Sequence, residues 1–106
     1  MEGMLGLDAF LEDEFAEKLD SFLDEGGLLA ASIPSGNAGY PMLRCVDIEG
    51  VTVFNRLQLA IVIPELERLS AAATDAPEAL PALSRVLKMA KKAAAEPHLY
   101  LRLLGD

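Results

Sequence analysis

Sulfur, imidazole and indole are scarce in this chain, which holds one cysteine, one histidine and no tryptophan. The lone Cys45 excludes a disulfide within the chain and fits a reducing compartment, so a cytoplasmic protein is expected. One histidine and one cysteine are too few of the usual ligands for a zinc site. Asp47 and Glu49 flank a tight turn without the further acids of a calcium loop. No metal or cofactor is expected. Long apolar runs are also missing. The longest, Leu59–Ile63, falls well short of the roughly 20 residues of a membrane-spanning helix. The opening Met1-Glu2-Gly3-Met4 is acidic, unlike the basic start of a secretory leader.

Positive charge is scarce too: nine Lys and Arg stand against seventeen Asp and Glu, for a net charge of −8. Residues 1–25 hold nine of the acids and a single base, Lys18, while residues 26–106 balance eight acids with eight bases. The entire surplus sits in the first quarter of the chain. Such a segment repels nucleic acid and anionic membranes, and it suits a basic protein partner.

What is present is a chain that is 52% hydrophobic over 106 residues, enough for one domain with its own core. The stretch VTVFNRLQL at 51–59 reads as a strand turning into a helix. Val51 and Val53 suit a strand. Asn55 suits an N-cap, and Gln58 completes a capping box. The helix is expected to run to about Ala73, with a kink near Pro64. Residues 8–25 read as an acidic amphipathic helix, with Leu11, Phe15, Leu19, Phe22 and Leu23 as its apolar stripe. Gly26-Gly27 would end it.

The segment 28–54 reads as a β-meander, with strands at Leu28–Ile33, Met42–Ile48 and Val51–Phe54 and a loop at 34–41. A turn at Glu49-Gly50 would place Val46, Ile48, Val51 and Val53 on the core face. Asp75 and Glu78 suggest a further capping box. A third helix then carries Leu80, Leu83, Leu87, Ala90 and Ala94 on one face and Arg85, Lys88, Lys91 and Lys92 on the other, so that residues 55–96 form a two-helix hairpin. HLYLRL at 98–103 alternates strictly, giving a last strand at 98–104 with Leu99, Leu101 and Leu103 inward. The order is α-β-β-β-α-α-β: one α+β domain with an antiparallel sheet packed against helices.

Several residues are candidates for a site. His98 as a general base with Tyr100 and Arg102 on one strand face, and Cys45 as a nucleophile, would make a small enzyme or ligand-binding subunit. No nucleophile at a telling spacing accompanies the histidine. Asn55 and Gln58 are explained by capping, which leaves Arg56 free to meet a ligand. The loop Pro34-Ser-Gly-Asn-Ala-Gly-Tyr lacks the lysine of a phosphate-binding loop. The basic helix face lacks the aromatic residues of a nucleic-acid site.

The pair VTVFNRLQL at 51–59 and HLYLRLLGD at 98–106 resembles a group of small uncharacterised bacterial proteins. The resemblance covers residues 51–106 and implies no activity or site.

The leading expectation is a non-catalytic interaction module, of the immunity or antitoxin type, that meets a basic protein through Glu12, Asp13, Glu14, Glu17, Asp20 and Asp24. Alternatively, the acidic segment docks on the basic face at 85–92. An acidic secretion-type chaperone is a further reading, to be recognised as a homodimer with exposed apolar grooves. A homodimer would also cover the edges of a short sheet.

Overall fold

The computed structural model describes residues 6–34, 39–73 and 76–105. Two strands open the chain, β1 (Leu7–Asp13) and β2 (Lys18–Phe22), followed by a short helix α1 (Leu28–Ser32) and a 3-10 turn at Leu43–Cys45. Then come β3 (Val51–Phe54), α2 (Arg56–Ala72), a 3-10 turn at Pro77–Ala79, α3 (Leu80–Ala95) and β4 (Leu99–Gly105). The strands form one antiparallel sheet in the order β2-β1-β4-β3, packed against the helices. The α+β class and the architecture are those expected from the sequence.

The first segment differs: residues 8–25 are a β-hairpin followed by a turn, not a helix. The reason lies in β4. Its strict alternation offers a complementary row, and β1 pairs with it along its whole length, from Leu7 opposite Gly105 to Asp13 opposite Leu99. Leu7, Ala9 and Leu11 thereby enter the core beside Leu101 and Leu103. The supposed helical stripe is largely exposed: Phe15, Leu19 and Leu23 all face solvent. Tertiary pairing overrides the local pattern.

The meander at 28–54 is also reduced to a single strand. Leu28–Ser32 is helical, since a short apolar run fits a buried helix as well as a strand. The expected strand at Met42–Ile48 contains the 3-10 turn instead. Without that hairpin partner, β3 takes its register from β4, with Thr52 opposite Leu103 and Phe54 opposite Leu101. Its faces are therefore inverted: Phe54 is 2% exposed, whereas Val51 and Val53 are 52% and 48% exposed. Residues 35–38 of the glycine-rich loop and Asp75 of the second capping box lie outside the described residues.

Both long helices and the last strand stand where the sequence places them. Asn55 caps α2 through a capping box, with 2.9 Å bonds from Gln58 N–H to Asn55 Oδ1 and from Asn55 N–H to Gln58 Oε1. The helix runs unbroken from Arg56 to Ala72 with Pro64 inside it. A proline at that point forgoes one backbone bond. The inner stripe of α3, from Ala82 and Leu83 to Ala90 and Ala93, closes the core.

At the far end of β4, Gly105 lies against the chain entering β3, and its N–H donates to the Gly50 carbonyl at 2.7 Å. A Cβ at Gly105 would collide with the Ile48 carbonyl and crowd the Glu49 nitrogen. Both are backbone atoms and cannot swing aside. Gly105→Ala is expected to destabilise by about 1–3 kcal/mol, read by urea unfolding.

Candidate functional site

The acids expected to face a partner are mostly engaged within the fold. Asp24 is 4% exposed. Its carboxylate accepts from the N–H groups of Leu29 and Ala30, capping α1, and from Leu7 N–H at the start of β1, all at 2.9–3.0 Å. Glu12 is buried on the open face of the sheet and meets Arg102 at 3.2 Å. Asp13 holds the β1–β2 turn: its Oδ1 accepts from Phe15 N–H and Glu17 N–H at 2.9 Å. Asp20 makes a two-pronged pair with Arg85, both bonds 2.7 Å, which ties β2 to α3.

Three of the four basic residues of the helix face are likewise engaged, Arg85 by Asp20 and both lysines of the last turns by glutamates. Lys91 pairs with Glu67 at 3.3 Å and Lys92 with Glu96 at 3.2 Å. The first segment thus meets the basic face of α3 as a strand, with Arg85 held by the Asp20 carboxylate and by the Ser21 carbonyl at 3.0 Å.

The hydrogen bonds from Arg85 hold the Asp20 carboxyl below its ordinary value of 3.8, at about 2. A carboxyl pKa lowered by folding stabilises the fold above the unfolded value, and that contribution is lost as pH falls from about 4 to about 2. Asp20→Asn is therefore expected to melt slightly lower than the parent at pH 7. The gap should close by pH 2, as thermal melts at the two pH values would show.

The remaining candidates gather at one end of the sheet, where the β1–β2 turn, the β3–α2 junction and the α3–β4 junction meet. A shallow cleft of about 290 Å³ is lined there by Asn55, Arg56, Leu57, Pro97, His98, Leu99 and Tyr100. Glu14 reaches over from the hairpin turn to His98, with Oε1 3.4 Å from Nδ1, an ion pair whenever the ring is protonated. The structure thus joins one acid of the partner-facing set to two members of the His98 set.

Two backbone features shape this end. His98 and Ala16 both have left-handed φ angles, 65° and 64°. In a non-glycine residue such a conformation is held by its surroundings. At Ala16 it closes the hairpin, where the Ala16 N–H donates to the Asp13 carbonyl at 3.0 Å.

Arg102 is not part of the cleft, being held by Glu12 on the open sheet face. Nor is Cys45, an exposed thiol in the 3-10 turn whose Sγ lies 3.4 Å from the Pro41 carbonyl. The cleft therefore holds a histidine, a tyrosine and an arginine, with no cysteine or serine nucleophile beside them. Among the described residues, no cluster of three His, Cys, Asp or Glu is arranged for a metal. No described helix is long and apolar enough to cross a membrane.

Sequence reasoning did not anticipate Phe15 and Leu57. They are the two most exposed large apolar side chains among the described residues, at 82% and 77%. Leu57 lines the cleft, and Phe15 is next to Glu14 on the hairpin tip. The signal for Leu57 was available: it falls outside the stripe of Leu59, Val62 and Leu66 that buries α2. Phe15 was hidden by the helical reading of its segment.

Fold and site together define the class: a small α+β domain with a one-sided antiparallel sheet and a partly apolar, partly charged surface at one end. The chain has no significant match to any family model, curated protein or solved structure.

Proposed function

We propose that this protein is a non-catalytic interaction module that binds a basic protein through the end of the sheet carrying Phe15, Glu14, Glu17, Leu57 and the His98 cleft. The observation that carries this reading is the exposure of Phe15 and Leu57 on two rigidly held junctions. The Asp13 turn fixes Phe15, and the Asn55 capping box fixes Leu57. Rigid apolar anchors lose little conformational freedom on binding, and aromatic ones are common centres of binding energy. Glu14 and Glu17 supply negative charge beside them, which favours encounter with a basic surface. An inhibitor of the immunity or antitoxin type fits these features and the small acidic chain.

The test is photocrosslinking in the native host, with a benzoylphenylalanine placed at position 15, at position 57 or at the control position Leu23. The reading expects one shared basic protein at 15 and 57, absent at 23. Capture from position 15 should weaken with Leu57→Ala and capture from position 57 with Phe15→Ala, and both alanine variants should melt like the parent because both side chains are exposed. A partner crosslinked from position 23 alone would overturn it.

A further inference from the structure

We infer that the free edge of β3 pairs with the same edge of a second copy, running antiparallel, so that two four-stranded sheets join into one of eight strands. The two edges of the sheet are protected differently. β2 carries Lys18 and Asp20, its pairing with β1 is broken by an irregularity between Leu11 and Glu12, and Arg85 grips it from α3. Charges and irregularities of this kind discourage edge-to-edge pairing. β3 reads Val51-Thr52-Val53-Phe54, with no charge, proline or bulge.

The hydrogen-bond alternation identifies which groups are free. The Gly105 N–H to Gly50 carbonyl bond makes that pair a bonded one, so Thr52 and Phe54 also turn their backbone groups to β4. Val51 and Val53 then turn theirs to the open edge. A twofold centred on Thr52 sets Val51 of one copy opposite Val53 of the other, and the two such pairs would form about four new backbone bonds. The same operation brings the Asp47–Glu49 end of one copy beside Arg56 of the other, twice. Arg56 and Glu49 are exposed and have no ion pair among the described residues. The charges are therefore self-complementary at this edge, although the chain as a whole carries −8. The acidic hairpin lies at the opposite side of the sheet, away from the contact. Exposed Val51 and Val53 side chains would extend into a shared apolar strip on the open face.

Sedimentation of the full chain from about 10 to 500 µM tests this pairing, a span that covers dimers of moderate affinity. The expected result is a monomer–dimer equilibrium that Val53→Pro weakens by about tenfold or more, because proline removes an edge donor and leaves the β4 ladder whole. Arg56→Glu should weaken it as well, and the exchange Glu49→Arg/Arg56→Glu should restore it. That rescue decides the matter if the proline variant folds poorly. A chain monomeric throughout the range, a dimer indifferent to Arg56→Glu alone, or a dimer that the double exchange fails to restore would overturn the proposal.

Discussion

Asp24→Ala is expected to destabilise the fold by about 3–5 kcal/mol, a large part of the stability of a domain of this size. The carboxylate is buried and serves three backbone donors that have no other partner: Leu7 at the start of β1, and Leu29 and Ala30 at the start of α1. Alanine leaves all three desolvated. The loss of the cap alone costs about 1 kcal/mol, and the orphaned donors account for the rest. Asp24→Asn should fall between, since both carboxylate oxygens accept bonds and an amide has only one acceptor. Thermal melts are the direct readout, at roughly 4–8 °C per kcal/mol for a chain near this length. A drop of only a few degrees for alanine would show that water satisfies these donors instead.

The second large effect is expected at Glu65, 1% exposed on the inner side of α2. Its carboxylate accepts from Leu43 N–H at 2.8 Å and from Met42 N–H through both oxygens, at 3.0 and 3.2 Å. It thereby fixes the 3-10 turn that carries Leu43 into the core. Glu65→Ala removes the acceptor and leaves a cavity, with an expected loss of about 2–4 kcal/mol. Glu65→Gln keeps one acceptor and should lose less. Hydrogen exchange separates this from general weakening: the Met42 and Leu43 amides should exchange faster in Glu65→Gln than those of α3, whereas uniform acceleration would argue against a local staple.

These two acids also show where the sequence could be read and where it could not. Asn55 and Gln58 announced their cap because both partners lie within one turn of helix. The β4 strand was legible from its alternation alone, whereas the inner face of α3 was read correctly only at Leu83 and Ala90: the buried stripe also takes Ala82, Val86, Met89 and Ala93, and Leu80 is exposed. The partners of Asp24 and Glu65 lie up to 23 residues away in sequence, so neither acid's role could be read from spacing. Glu65 did leave a trace, since it sits in helical phase with Val62 and Leu66 in an otherwise apolar stripe.

The hairpin at 7–22 was misread for a related reason. Its apolar residues satisfy a helical count, and only the distant β4 row decides in favour of a strand. The same long-range pairing turned Val51 and Val53 outward. It also changed the meaning of the acidic surplus. Charge that reads as a continuous outer face on a helix is divided by a hairpin between the core side, the sheet face and the tip. Of the six acids expected to face a partner, Glu14 and Glu17, on the same hairpin tip as Phe15, are the two that are exposed.

The central claim is that, of the six acids expected to face a partner, Glu12, Asp13, Asp20 and Asp24 hold the fold together, and Glu14 and Glu17 at the hairpin tip are left for a partner. A comparison of thermal melts for two variants with equal charge change tests it most directly. Glu12→Gln/Asp24→Asn and Glu14→Gln/Glu17→Gln each remove two negative charges. The first is expected to lower the melting temperature by more than about 10 °C, and the second to change it by less than about 2 °C. Equal shifts in both variants would mean that these acids act as one surface patch, and would contradict the account.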